Sequence, residues 1–586
     1  MLIPFLLSLL APTQAGPAHA GLHPIDGDVY IELGDVSNLL TELERAPLVR
    51  FLRDERVAGL FAGLGHPTDR PLKDLALDGL ASVLPGGKAE EWLTGLKTVS
   101  ASIVAPAALL VVLDSATPEQ AGALRSMLIE RASRHEPMNA IVPGVELLHM
   151  GDGAACDLWC VALGSRLVLG GATSKLEDYV ARSEKRMAGL AGAETFEKRL
   201  AALEKPSGTP VLWLATASPL QGILAKMQGG DNAILETVAR LPNELNPFSS
   251  ALVARMQLVG ERFVTEMISS AAGPPSKPID PAWLEPVPPG SMIVYSSSFD
   301  GAAAGRSLRR LIAKDEQSAA AQSALEERLG FGPERVLARL GPGMTVYAAP
   351  LAGPGLPETR VWIDCDDAAA FTSDFEALFN ALGQTLPGMQ VKTKAYTVKK
   401  SGGEGIPVPI TTLSLPTSWQ HPMFNPAPSF APVGKKLVFA LSSMDIKSEL
   451  KRVHGADGEA IVAGSNPLGA YGLQMPADAR ALVVMDWGRL FASLIGMVKA
   501  FAPMMGPEAL PFDLAKLPPA EMFTQYFKPT FHYTRSAADG LYRRNEASFG
   551  PETWLGLGAV WIGVVSPAVG DLMIDDVSSS SSGGGQ

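Results

Sequence analysis

The chain has 586 residues, 47% hydrophobic and 19% charged, and its 49 Lys and Arg against 61 Asp and Glu give a formal net charge of −12. A polyanion binder needs clustered cations to displace counterions, and no basic run of five or more occurs, so the composition argues against nucleic acid as a partner. The apolar share excludes a disordered chain, the length implies more than one core at roughly 100–200 residues per domain, and 58 Gly with 47 Pro predict many turns.

Residues 1–20, MLIPFLLSLLAPTQAGPAHA, carry an apolar stretch over 2–11 and end in Ala18-His19-Ala20, an A-x-A site before Gly21. This predicts a signal peptide over 1–20 and an exported protein, periplasmic, at the cell surface or extracellular, with His19 leaving in the leader. No Lys or Arg precedes the apolar run, which leaves a start further upstream open. The alternative, a buried N-terminal helix, would be interrupted by Pro4, Pro12 and Pro17. No Cys follows the run, so no lipoprotein anchor is expected there.

A strand is expected around Tyr30. Asp35, Ser37 and Asn38 then offer N-caps to a helix carrying Leu39, Leu40 and Leu43, which Pro47 ends, and a second helix carries Leu48, Phe51 and Leu52. Glu42, Glu44, Arg50, Arg53 and Asp54 occupy the other faces, so each helix packs by one side. Residues 97–105 and 108–114 read as adjacent strands before a helix over 118–135. Hairpins are expected over 158–169, turning at Gly164-Ser165, and over 252–268, turning at Val259-Gly260-Glu261. Residues 274–288 are Pro-rich and predict a stiff, extended linker. Strands over 344–350 and 359–364 precede a helix over 368–382, and a last hairpin over 530–549 turns at Asp539-Gly540. Residues 554–574 are nearly uncharged but interrupted by Gly, Pro567 and Asp571. They read as a buried terminal segment, with weak membrane association as the alternative, and 575–586 as a disordered Ser/Gly tail.

Four segments share a Pro, five residues and then the apolar residue of a short strand: Pro24 to Tyr30, Pro206 to Leu212, Pro289 to Tyr295, and Pro476 to Leu482. Pro24 and Pro289 lie 265 residues apart, and Pro206 and Pro476 lie 270 apart. Two offsets agreeing within five residues indicate a duplication, with one repeat unit over 21–273 and a second over 289–553. Strands in hairpin runs with one-sided helices then give the fold class: α+β, two duplicated units of mostly antiparallel sheet with one-sided amphipathic helices. Along most of its length this layout resembles the bacterial domain-of-unknown-function 3352 family of exported proteins. The resemblance rests on Pro24, Asp26, the strand over 29–33, Leu39, Leu40 and Leu43, and the stretch from Pro47-Leu48 to Arg53-Asp54 before Val57. It implies this fold and supplies no activity or catalytic residues.

Chemistry-bearing patterns are sparse. Residues 85–89, Pro-Gly-Gly-Lys-Ala, lack the hydroxyl of a phosphate loop, and no Gly-x-Gly-x-x-Gly joins a strand to a helix, so no cofactor is expected. His23, His66, His135, His149, His421, His454 and His532 are scattered without an H-x-x-x-H pair among them, and no metal site is expected; His149 with Asp152, or Asp364, Asp366 and Asp367 around Cys365, are the distributed alternatives. Asp364 to Asp367 read better as N-capping before Ala368. Ser448 and Lys451 match Ser-x-x-Lys without its companion motifs and read as a solvated helix face, and no catalytic residues are assigned. Cys156 and Cys160 alternate with Leu158 and Ala162 as on a strand, where residues four apart lie ~13 Å from each other, too far for a disulfide; a turn there would permit one. Trp487, Phe491, Met497, Phe501, Met504 and Met505 form a Met-rich apolar stretch, either a buried helix pair or an adaptable surface for an apolar ligand or protein partner. The function expected is therefore that of an exported bacterial envelope protein with a binding or structural role. A lipid or other apolar-ligand carrier and an unrecognised hydrolase are the alternatives.

Overall fold

In a computed structural model the described residues are 19–26, 29–34, 45–57, 95–104, 108–150, 156–171, 175–203, 211–214, 252–270, 277–312, 316–349, 358–384, 388–399, 405–416, 427–454, 467–505, 518–538 and 540–548. The leader-like residues 1–18, the helix expected around Leu39, and residues 554–586 lie outside them. The chain divides into unit 1, Met1–Gly273 with Ala537–Gln586, and unit 2, Pro274–Ser536. Both are α+β, and every strand pair within each is antiparallel.

Unit 1 contains β1 (Val29–Gly34), β2 (Leu96–Val104), β3 (Ala108–Ser115), β4 (Arg134–Pro137), β5 (Glu146–Met150), β6 (Cys156–Leu163), β7 (Arg166–Gly171), β8 (Val211–Leu214), β9 (Leu252–Val259), β10 (Arg262–Ser269) and the late strand β20 (Gly540–Ala547). Their spatial order is β4-β5-β6-β7-β3-β2-β1-β8-β9-β10-β20. Its helices are α1 (Pro47–Arg53), α2 (Pro118–Arg131), α3 (Leu176–Ser183) and α4 (Glu194–Ala201). Thr117 starts α2 with a capping box to Gln120. The helix was expected to reach 135 but ends at Arg131, because Ala132 turns to extended backbone and Arg134 opens β4. α2 packs on β3, β5, β6 and β7, and Leu110, Val112, Val145, Trp159, Val161, Val168, Leu176 and Tyr179 form one core cluster. Gly170 makes room for Trp159, whose ring would meet an added Cβ at 2.1 Å.

Unit 2 contains β11 (Ile293–Ser298), β12 (Leu340–Ala349), β13 (Glu358–Cys365), β14 (Gln390–Val398), β15 (Ile406–Ser414), β16 (Ser429–Val433), β17 (Lys436–Ala440), β18 (Ala481–Met485) and β19 (Thr530–Ala537). Their order, β14-β15-β16-β17-β13-β12-β11-β18-β19, repeats that of unit 1 from β4 to β9. Its helices are α5 (Gly301–Ile312), α6 (Glu316–Leu329), α7 (Pro333–Leu337), α8 (Ala368–Leu382), α9 (Ser443–Val453), α10 (Trp487–Met505) and α11 (Ala520–Tyr526). Asp367 caps α8 by accepting from the Ala370 N–H at 2.9 Å, and Phe371, Phe375, Phe430 and Phe439 meet edge-on and tilted beneath it.

The duplication extends to strand register. Ile31 faces Leu212 in β1–β8. Advancing the first residue by 265 and the second by 270 gives Ser296 and Leu482, which face each other in β11–β18. Two expectations need correction. Residues 277–288, expected in an extended linker, are built into unit 2: Pro281–Trp283 form a 3-10 turn, and Ile279, Trp283, Leu284 and Val287 are buried. Apolar side chains at these four positions outweigh the stiffness signal of the prolines. β20, expected within the second repeat unit, instead belongs to unit 1, where it pairs along β10.

Cys156 and Cys160 both lie on β6. Cys160 and Cys365 are buried free thiols, and burial pushes the Cys160 thiol up to about 11.

Candidate functional site

One face of unit 1 concentrates polar groups that an apolar sheet would not need. Successive cross-strand partners at one level are Val168, Val112, Ser100, Glu32, Val211, Arg255, Glu266 and Arg544, from β7 through β3, β2, β1, β8, β9 and β10 to β20. Side chains alternate along a strand, so these residues share a face. Arg255 donates to Glu266 through Nε at 2.8 Å and Nη2 at 2.6 Å. Tyr542 Oη donates to Glu266 at 2.9 Å, and Arg544 Nη1 lies 3.2 Å from it. Glu32 and Glu266 are each only 1% exposed.

Over the β1–β2 part of this face lies the segment from His19 to Pro24. A 3-10 turn, Ala20–Leu22, brings His19 and His23 down on β2. His19 Nε2 is hydrogen-bonded to Asp114 Oδ2 at 2.7 Å and His19 Nδ1 to Ser100 Oγ at 2.8 Å. His23 Nε2 is bonded to the same Ser100 Oγ at 2.8 Å, and His23 Nδ1 to Ser102 Oγ at 2.6 Å. The backbone N–H of His19 donates to Glu32 Oε2 at 2.9 Å, and Tyr30 Oη donates to the same oxygen. Arg182 Nε donates to the Leu22 carbonyl at 2.8 Å, and the Leu190 N–H to the His23 carbonyl at 2.9 Å, which fix the turn from outside. The result is an unbroken chain, Asp114–His19–Ser100–His23–Ser102, that runs from the half-buried Asp114 into the protein.

Its electrostatics follow from burial. Removal from water, with His19 and Arg182 nearby, holds the His23 imidazole well below its ordinary value, so it is neutral. Burial alone would raise the Asp114 carboxyl, but hydrogen bonds from His19 and Arg166, the latter at 2.6 Å, outweigh it and hold the group well below the usual carboxylate range. Burial and the Glu32 charge push the Tyr30 phenol up.

An acid, an imidazole and a hydroxyl in sequence is the arrangement that activates a serine nucleophile. Here Ser100 is 1% exposed and its oxygen is already bonded to two imidazoles, so no acyl group can approach it. The chain can hold and pass protons; it does not present a nucleophile. Nor does the fold demand it. Through the repeat offsets Glu32 corresponds to Ser297 and Val211 to Ala481, and opposite Ala481 stands Thr534 where unit 1 has Arg255. Unit 2 thus makes the same sheet without these buried charges.

The sequence signal for this network was the spacing His19-x-x-x-His23 with Ser100 and Ser102 alternating on one strand. Assigning His19 to the leader concealed it. In the structure His19 and Ala20 are buried in unit 1.

The apolar stretch expected as a ligand or partner surface lies on α10. Trp487 stacks on Phe491 at 5.7 Å, and Phe491 meets Phe523 at 5.7 Å and Phe527 at 5.8 Å. α11 therefore fills this half of the supposed groove. The helices touch at Gly488, where an added Cβ would meet the Thr524 Cα at 2.7 Å. Met497 is half-buried, and the side chains of Phe501, Met504 and Met505 lie outside the described residues. Ser448 and Lys451 are exposed on α9, while Glu449 between them points inward and accepts from Trp362 Nε1 at 3.1 Å. His149 is bonded to Asp157 at 2.8 Å; Asp152 lies outside the described residues. Among the described residues no group of three or more His, Cys, Asp or Glu is placed to hold a metal ion.

No protein-family model matches the chain, and no curated protein matches it. Among solved structures it is similar to crystal form III of TP0453, at 10% identity over 43% of this chain and 78% of that one, with a TM-score of 0.24. A likeness at that score carries no argument about fold or function.

Proposed function

We propose that the chain is an exported bacterial envelope protein that works by binding or structural support and not by catalysis, in keeping with its resemblance to the domain-of-unknown-function 3352 family. The observation that carries this reading is the closure of the acid–imidazole–hydroxyl chain: Asp114, His19 and Ser100 are in line, and Ser100 is sealed. A fluorophosphonate probe, which labels activated serines, is expected to leave Ser100 unlabelled in the folded protein. Peptide mapping that finds the adduct on Ser100 would overturn the reading in favour of a hydrolase.

A second reading, a carrier of a lipid or other apolar ligand, keeps one supporting observation. α10 has only Arg489 and Lys499 as charged residues, and Leu494 stands 40% exposed beyond the aromatic contacts with α11. Organic extraction of the purified protein followed by mass spectrometry tests it: a stoichiometric lipid that is lost in a Leu494→Glu variant would favour the carrier.

A further inference from the structure

The buried position of His19 bears on where the leader ends. Hydrolysis after Ala20, the point the A-x-A pattern indicates, would remove two residues that are 1% and 0% exposed. It would take away one imidazole from Ser100 and the imidazole from Asp114, both on the core side of β2 and β3. A second small-residue pair stands two positions earlier, Gly16-Pro17-Ala18, and satisfies the same requirement for small side chains at the first and third positions before the cut. Hydrolysis there would free the nitrogen of His19, and that nitrogen already lies 2.9 Å from Glu32 Oε2, inside the protein.

We propose that the leader is removed by hydrolysis of the Ala18–His19 peptide bond, and that the new α-amino group of His19 seats on the Glu32 carboxylate. Water supplies the hydroxyl that completes the Ala18 carboxyl and the hydrogen that completes the His19 amine; the carboxyl releases its proton and the amine takes one up, leaving a carboxylate and an ammonium, and the host's signal peptidase is the catalyst. An N–H···carboxylate hydrogen bond thereby becomes an ammonium–carboxylate ion pair in a buried site.

The proposal rests on the export reading, and the test separates the two. The full chain is expressed with its own leader in a diderm bacterium, and free α-amines are labelled before digestion and mass spectrometry of the osmotic-shock and spheroplast fractions. The expected result is an exported chain whose labelled terminus is His19. An exported chain beginning at Gly21 or Gly16 overturns the proposal and leaves export standing. A chain that keeps Met1 in the spheroplasts overturns both. A Gly16→Phe variant gives an independent arm, since Gly16 is outside every mature product beginning at His19 or Gly21. It should lose most of the His19-terminated product; undiminished processing would mean that the cut lies elsewhere.

Discussion

Glu266 is the residue on which the polar face of unit 1 converges. Three side chains, Arg255, Tyr542 and Arg544, direct donors at one buried carboxylate. Removing an acceptor of this kind strands a buried guanidinium, so Glu266→Ala should destabilise the protein by about 3–5 kcal/mol in urea unfolding. The matched change in the pair, Glu266→Leu with Arg255→Leu, should cost less, because it removes the two most buried charges together and leaves only Tyr542 and Arg544 to lose a bond, the latter still paired with Glu546. The histidine network has its own signature in pH. His23 is held neutral when folded, whereas the unfolded chain takes up a proton below pH ~6.5. Its contribution is therefore complete above that pH and declines as pH falls, with a slope of at most about 1.4 kcal/mol per pH unit. Asp114, whose folded carboxyl is depressed, contributes above pH ~3.9 and loses that contribution as pH falls towards its folded value. Urea midpoints from pH 8 to 5 should fall, and His23→Gln should flatten the slope below pH 6.5. A variant with an unchanged slope would place the proton uptake elsewhere. Beyond the His19–His23 spacing and the Ser100–Ser102 alternation nothing in the sequence groups these residues, because Glu32, Ser100, Asp114 and Glu266 come from separate strands, and only the register of the sheet aligns them.

Glycines inside two helices give opposite expectations. Gly488 on α10 faces Thr524 and Phe523 at distances no Cβ can share, so Gly488→Ala should cost about 1–3 kcal/mol through displacement of α11. Gly122 on α2 has nothing within 4 Å, and Gly122→Ala should gain about 0.5–1 kcal/mol from helix propensity. Thermal unfolding of both variants checks the pair; equal signs would contradict the packing described for α10. The legibility of elements follows the same logic of contact. β3 and α8 bury one face and wrote a period into the sequence, whereas β9, buried on both faces, was marked by the turn at Gly260. β14 lies at the edge of unit 2 and is exposed along most of its length, with Lys392, Lys394 and Thr393 in place of apolar residues, so it left no hydrophobic pattern to find. β15 carries Pro407 and Pro409 in the stretch where β14 is its only described neighbour, which disguises it as a loop. The linker expectation fails for the reverse reason: the prolines signal stiffness, while Ile279, Trp283, Leu284 and Val287 among them decide the packing.

At the scale of the molecule the duplication was the most legible feature, since two Pro spacings reproduced the register of two sheets. What it concealed was the fate of the last strand. β10 and β20 occupy the same place in the two repeats, and they pair with each other, with Glu266 directly opposite Arg544. A chain ended after Ser536 should therefore expose the outer edge of β10 together with the charges behind it. It is expected to aggregate on concentration, as followed by light scattering, whereas the full chain stays dispersed.

This closure also sets a schedule. Glu266 and its partner Arg544 are 278 residues apart in the chain. At synthesis rates of about 5–20 residues per second, unit 1 would wait roughly 14–56 s after β10 emerges before its last strand exists. Throughout that interval the carboxylate of Glu266 lacks Tyr542 and Arg544, and β10 offers an open edge to any other strand. A chain built this way gains from being kept unfolded until its synthesis is finished.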